Sequence, residues 1–316
     1  MDISVVLPCL NEAETIRVCI EKAKKQINGL NINGEVIVAD NGSSDNSIKI
    51  AKECDAKVIH VKEKGYGNAV KSGVKASSGK YILIADSDDS YDLNDLPRFY
   101  NKITEGYDLV QGCRLPGGGG GINKGAMPIT HRLIGNPLFS FLTKYLHGTS
   151  FNDVYCGMKI LKKDFYENIN FFSGGMVFCL EILIKTKIMK AKVAELPITL
   201  HKDGRKLGKS HLRTISDGLQ TLKFILICCP KILYFFPSIF LLVVSLLSIF
   251  VNYYFKFYFE KFIFLNLSLL FLSIQFFMLG IYSALRAEVL GLYKTNWLSK
   301  FFKVFKLRFA IMLSLI

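Results

Sequence analysis

Two stretches without a single charged residue, 232–255 and 262–285, constrain this chain more than any other feature. Each exceeds the roughly 20 residues that a bilayer-crossing helix requires. A buried helix of a soluble core needs only about 10–14 apolar residues and keeps a polar stripe. Joined by a short loop that carries Lys256, Glu260 and Lys261, the two runs read as a transmembrane hairpin.

The formal charge is +14, and its distribution sets an orientation. Lys223 and Lys231 stand before the first run, and Arg286, Lys294, Lys300, Lys303, Lys306 and Arg308 follow the second. By the positive-inside rule both chain ends face the cytoplasm. Met1 leads straight into a short apolar strand with Asp2, so no signal peptide is read and the N-terminal domain is expected in the cytoplasm. The basic excess does not read as nucleic-acid binding, because zinc spacing, a helix-turn-helix cue and an aromatic RNA motif are all missing. Anionic lipid and anionic substrates fit it better. The eight cysteines are scattered or, as Cys228 and Cys229, adjacent, without metal-ligand spacing, and read as reduced packing residues. The last apolar run, 310–316, is too short to cross and reads as an interfacial foot or a truncated span.

Before the hairpin, short apolar runs recur between helical stretches: Ile3 to Leu7, Val36 to Ala39, Lys57 to Val61, Tyr81 to Ala85 and Leu109 to Gly112. That alternation predicts an α/β domain with a largely parallel sheet. Asn11 followed by Glu14 has capping-box spacing and predicts a helix start there, with Asn28-Gly29 as its end. Further helices are expected after Asp45, after Asn68 and before Gly106. In such sheets ligands bind beyond the carboxyl ends of the strands. Those positions carry Pro8-Cys9-Leu10-Asn11-Glu12, Asp40-Asn41-Gly42-Ser43-Ser44-Asp45 and Asp86-Ser87-Asp88-Asp89-Ser90. Three acidic strand ends in one crevice repel each other unless a cation or several donors bind there.

Asp86 and Asp88 form an Asp-x-Asp pair after a strand, suited to one hard cation, Mg²⁺ or Mn²⁺, bridging the phosphates of a nucleotide sugar. Lys64-Gly65-Tyr66-Gly67-Asn68 resembles a turn that cradles phosphate at a helix N-terminus, or a plain turn. The five glycines 117–121 read as a flexible linker or as a mobile lid. Arg114, His131, Arg132, Lys159, Arg205, Lys206, Lys209, His211 and Arg213 supply cations ahead of the first span. Phosphate recognition favours arginine, whose planar fork bonds two oxygens at once.

Taken in order, VVLPCLNEAETI, VIVADNGSSDNS, KGYGNAVKSG, GKYILIADSDDSYD, DVYCGMKIL, FCLEILIK, VAELPITL and DGRKLGKSHLRT resemble family 2 glycosyltransferases of the GT-A fold. Within them the pattern is similar to the polyprenyl-phosphate glycosyltransferases of the dolichol-phosphate mannose synthase type, in a bacterial branch. The resemblance implies a GT-A catalytic domain over 1–210; a juxtamembrane amphipathic segment 211–231, the charge-free spans 232–255 and 262–285 and a basic cytoplasmic tail 286–316 complete the expected organisation. It implies Pro8, Asn11, Glu12, Asp40, Gly65, Gly67, Asp86, Ser87 and Asp88 for the nucleotide sugar, with Asp86 and Asp88 on the metal. It implies Arg114, Arg132, Lys159, Arg205 and Ser210 for the acceptor phosphate. Asp153 and Glu181 fall in matching segments, with Glu181 near the sugar pocket.

The expected activity is an inverting, metal-dependent transfer of one hexose, glucose or mannose, from a UDP- or GDP-sugar to a polyprenyl phosphate. The enzyme is expected in the cell membrane, with the catalytic domain cytoplasmic and a homo-oligomer allowed. Two departures stand out: Asn41 where a second aspartate is commoner, and Ser90 where a further metal ligand, Gln, is frequent. The alternatives are a catalytically inactive, membrane-anchored scaffold that binds nucleotide sugar, and a phosphatase with Asp86 as nucleophile.

Overall fold

The computed structural model describes residues 1–205, 214–255 and 259–292. Ser210, Lys206, Lys209, His211, Arg213 and the tail beyond residue 292 lie outside the described residues. The chain divides into two units, 1–222 and 223–316.

In the first unit strands and helices alternate: β1 (Ile3–Cys9), α1 (Ile16–Gly29), β2 (Gly34–Asp40), α2 (Ser47–Glu53), β3 (Lys57–His60), α3 (Tyr66–Ala76), β4 (Tyr81–Ile84) and α4 (Leu96–Thr104). Then come β5 (Leu109–Cys113), β6 (Gly121–Ile122), α5 (Asn136–His147), β7 (Lys159–Lys162), α6 (Lys163–Glu167), α7 (Phe178–Ile188), β8 (Val193–Pro197), β9 (Thr199–Leu200) and α8 (Thr214–Ile227). Seven strands form one sheet in the order β3-β2-β1-β4-β7-β5-β8, and β6 pairs with β9. All five expected strands are present. The sheet is mixed, because β7 runs antiparallel to both β4 and β5.

β1 lies inside the sheet between β2 and β4, and every one of its residues is buried. A strand covered on both faces has no polar alternation, which is why Ile3, Val5, Val6 and Leu7 read as a continuous run. Pro8 is tolerated there because β4 pairs only with Ile3–Val6. Beyond that point no ladder hydrogen bond is lost for want of its N–H. Instead the Pro8 carbonyl accepts from Ser87 Oγ at 2.6 Å.

The start of α1 differs from expectation. The helix begins at Ile16, and Asn11 has left-handed backbone, φ 57°, with its side chain accepting from the Ser44 N–H at 2.8 Å. Asn tolerates this conformation by bonding locally, so the residue turns a loop rather than caps a helix. The end of α1 falls at Gly29 as expected, with Asn31 (φ 52°) making the reversal.

The second unit holds α9 (Phe236–Phe255) and α10 (Phe259–Val289). Segments 231–254 and 262–289 are long and apolar enough to cross a membrane and are mostly exposed. Ser238 Oγ donates to the Ser273 carbonyl and Ser273 Oγ to the Ser238 carbonyl, each at 2.9 Å, and Ser245 Oγ donates to the Asn266 carbonyl at 3.0 Å. Seven residues forward on α9 correspond to seven back on α10, so the pair is antiparallel. Small hydroxyl residues let the backbones approach while satisfying their own donors, the usual contact between helices in lipid.

Candidate active site

The loops after β1, β2 and β4 are tied together by short polar side chains. Asn11 N–H donates to Ser43 Oγ at 3.0 Å, Glu12 N–H to Ser47 Oγ at 2.7 Å, and Ala13 N–H to Asp45 Oδ2 at 3.0 Å. Thr15 Oγ1 donates to the Ser87 carbonyl at 2.7 Å, joining the first loop to the Asp-x-Asp segment. The three acidic strand ends therefore form one rim.

Asp40 faces its own loop. It accepts from the Ser43 N–H at 2.9 Å and the Gly42 N–H at 3.2 Å, and lies 3.3 Å from His60 Nδ1. Burial pushes its carboxyl up, and these hydrogen bonds outweigh burial and hold it below the usual range. Asn41 has a role an aspartate cannot fill. Its Nδ2 donates to the Glu63 carbonyl at 2.8 Å while Oδ1 accepts from the Gly65 N–H at 2.7 Å. An amide both gives and takes, whereas an ionised carboxylate only accepts.

Gly65 and Gly67 sit close against another part of the chain. A Cβ on Gly65 (φ 128°) would stand 2.3 Å from the Gly174 carbonyl oxygen, and one on Gly67 2.8 Å from Phe178 Cβ. The Asn68 N–H is taken by the Gly174 carbonyl at 3.0 Å. The start of α3 packs against the protein's own 173–178 segment. That segment is pinned by Glu181, fully buried, which accepts from the Phe172 N–H at 3.1 Å and the Ser173 N–H at 2.9 Å and pairs with Lys185 at 2.6 Å. Glu181 is thus a buried support rather than a group open to a sugar.

The 200–205 segment wraps the Asp-x-Asp loop. The Gly204 N–H donates to the Asp88 carbonyl and the His201 N–H to the Ser90 carbonyl, each at 2.9 Å. Arg205 Nε donates to Glu12 Oε2 at 2.9 Å, Nη2 bonds Glu12 Oε1, and Nη2 lies 3.5 Å from Asp88 Oδ2. Burial disfavours the Arg205 charge, but Glu12 and Asp88 outweigh it and raise its pKa further. One guanidinium is therefore shared between two of the rim's carboxylates and only partly offsets their charge. Ser90 Oγ donates to Asp88 Oδ1 at 2.6 Å, so Ser90 orients the carboxylate from behind.

Asp86 sits deeper. Its Oδ1 is buried beside the Tyr66 hydroxyl, whose contact favours the ionised carboxylate but falls short of a full hydrogen bond. Burial, then repulsion from Asp88, push the Asp86 carboxyl up to about 6. Gly157 lets it sit there, since a Cβ would come within 2.6 Å of Oδ2. An orphaned buried oxygen next to a second carboxylate fits a divalent cation, which Asp86 and Asp88 would hold. Among the described residues no group of three or more His, Cys, Asp and Glu could hold a metal.

Arg114 and Lys159 do not reach outward as acceptor contacts. Arg114 is buried, its Nε donating to Asp153 Oδ2 at 2.7 Å, Nη2 to Oδ1 at 2.9 Å and Nη1 to the Tyr91 hydroxyl at 3.2 Å. Lys159 is buried and donates to the Cys156 carbonyl at 2.8 Å. Both act on Asp86 as positive charges at a distance. Arg132 is exposed on the turn 131–135 before α5, and no ion pair holds it among the described residues. The glycine run is built in too. A Cβ on Gly118 would meet Cys113 Sγ at 2.4 Å and one on Gly120 the Cys113 carbonyl at 2.1 Å, while Gly121 pairs with Thr199. All eight cysteines are free, and all but Cys54 are buried.

Tyr66, Tyr91 and Thr15 are the site residues that sequence reasoning missed. Only the position of Tyr66 between two glycines offered a signal. Breaking the Arg114–Asp153 pair tests the buried support. Asp153→Asn leaves the guanidinium uncompensated and is expected to cost about 3–5 kcal/mol, read as a lowered melting temperature. Burial raises the Asp153 carboxyl pKa, but Arg114 and the hydrogen bonds outweigh it, and the net shift is downward. The stabilisation is therefore complete above about pH 3.9 and lost on further acidification, so wild type and variant converge only in strong acid.

Comparison with known proteins agrees with this geometry. The model of Glycosyl transferase family 2 matches residues 4–169. Low-salt glycan biosynthesis hexosyltransferase Agl6 of Haloferax volcanii is 34% identical over 248 residues, 78% of this chain but only 58% of that longer protein. The dolichyl-phosphate hexose transferase of the same organism is 30% identical over 230 residues, 72% of this chain and 94% of that one. Among solved structures, glucosyl-3-phosphoglycerate synthase from Mycobacterium tuberculosis, in complex with Mn²⁺, UDP and glucosyl-3-phosphoglycerate, has a TM-score of 0.54 at 22% identity. It covers 72% of this chain and 77% of that one, a likeness that carries the fold. Fold, carboxylate rim and family match agree: the chain belongs to glycosyl transferase family 2 and is a glycosyltransferase with a GT-A-type α/β domain.

Proposed function

We propose that the enzyme transfers a hexose, glucose or mannose, from a UDP- or GDP-sugar to a polyprenyl phosphate, with inversion, at the cytoplasmic face of a membrane. The observation that carries the reading is the joining of Glu12, Arg205, Asp88 and Asp86 in one rim, in a chain with two helices able to cross a bilayer. The name of the dolichyl-phosphate hexose transferase supports a lipid-phosphate acceptor. The synthase bound to UDP and Mn²⁺ supports a nucleotide donor and a divalent cation, Mn²⁺ or Mg²⁺.

An acceptor phosphate oxygen attacks the anomeric carbon from the face opposite the diphosphate. The new C–O bond forms as the bond to the leaving oxygen breaks, so the configuration inverts. A cation on Asp86 and Asp88 would supply charge neutralisation for the leaving diphosphate. Arg205, held by Glu12, adds a fixed positive charge at the same rim. A general base is not required, because a phosphate monoester, with its second pKa near 6, is already largely ionised at neutral pH. Confining the enzyme to the bilayer of its lipid acceptor turns a search through solution into a local encounter.

This reading ranks the carboxylates. With Mn²⁺, polyprenyl phosphate and donor, Asp88→Ala is expected to lower nucleoside diphosphate release by about 100-fold or more, while Glu181→Gln, if folded, retains far more activity. Equal loss in the two, with metal binding intact, contradicts the assignment. The cation also competes with a proton. With Asp86 near 6, Mn²⁺ affinity is expected to be flat above that pH and to fall up to about tenfold per pH unit below it. Titration calorimetry at several pH values checks this, and no change between pH 7 and 5 argues against Asp86 as a ligand.

A further inference from the structure

α5 and the turn before it are inside out. The buried residues of α5 are Asn136, Ser140 and Thr143, all polar. The exposed ones include Leu138, Phe141 and Tyr145, and the preceding turn adds Ile129, Leu133 and Ile134. These six side chains are between 46% and 74% exposed, at spacings that keep them on one helical side. A helix on a water-facing surface shows the opposite pattern. A contiguous apolar face of this size marks a contact with a membrane or another protein.

Charge identifies the occupant. Between Asp108 and Asp153 the chain has no acidic residue, and Lys124, Arg132 and Lys144 are exposed around the apolar face. A second copy of the chain would set these cations against themselves. An anionic bilayer offers acyl chains to the apolar side and headgroups to the cations. Tyr145, its ring stacked on Phe141 at 6.0 Å, is a residue type that favours the interface. The chain also has two helices able to cross a bilayer.

We propose that the outer face of residues 129–145 lies in the headgroup region of an anionic bilayer, with Leu133, Leu138 and Phe141 reaching the acyl boundary. The proposal rests on membrane attachment and not on the transfer chemistry, so it stands or falls separately. It also gives Arg132 a position: lipid-headgroup level.

The test uses the full chain, one copy per nanodisc of phosphatidylglycerol, with a carbene reagent confined to the lipid and labelled residues located by mass spectrometry. Label at 129–145 is expected within about threefold of that on α9 and about tenfold above that on Val18, an exposed residue of α1. Label no higher than on Val18, while α9 is labelled, overturns the proposal. In the double variant L133E/F141E, which alters only exposed side chains, label on the rest of the segment is expected to drop to the Val18 level and α9 to keep its own. Unchanged label in that variant overturns it as well. Efficient copy-to-copy cross-linking through Phe141→Cys in detergent would instead make a second copy the occupant.

Discussion

Carboxylates crowded at the carboxyl edge of one sheet are the constraint on which the rest of the structure depends. Glu12, Asp86 and Asp88 come from two strand ends, and their mutual repulsion is tolerable only with positive charge among them. Arg205 supplies it from 193 residues further along the chain than Glu12. Lys159 and Arg114 also favour the Asp86 charge. These cations leave the pair on the metal motif unequal: Asp88 lies near Arg205, whereas Asp86 keeps an unpartnered oxygen and a raised pKa.

Much of this was legible in the sequence. Apolar runs of strand length located five strands: β1, β2, β4 and β5 because a largely buried strand cannot hide its composition, and the edge strand β3 through Val58 and Ile59. Asp86, Asp88, Glu12 and Arg205 stood out because acids at strand ends and an arginine in a basic loop carry their chemistry in their type. Partnership was not legible. Arg114 and Lys159 counted as cations for phosphate, but only the fold reveals that Asp153 takes one and the Cys156 carbonyl the other. Gly65 and Gly67 announced that a side chain was excluded; the fold shows that the 173–178 segment excludes it. β7 and β8 escaped notice because Lys159–Lys162 is bounded by lysines and Val193–Pro197 is a half-buried edge strand interrupted by Glu195 and ended by Pro197.

The exposed apolar features divide the same way. Absence of charge over 232–255 and 262–285 is a property of composition and needs no fold to be seen. The outward apolar face of α5 has the periodicity of any amphipathic helix, and periodicity does not say which side faces the protein. Burial of Asn136, Ser140 and Thr143 settles that direction. Serine pairs in the hairpin are likewise silent until their partners are known.

The central claim is that the hexose ends on a lipid phosphate with inverted configuration. The most direct measurement reconstitutes the full chain with Mn²⁺, a polyprenyl phosphate and isotope-labelled UDP- and GDP-hexoses, then analyses the lipid extract by mass spectrometry and NMR. The account predicts one phosphate-linked hexose per nucleoside diphosphate released, formed only with the lipid, and of anomeric configuration opposite to that of the donor. Release that is independent of the lipid, or a product of retained configuration, would contradict it.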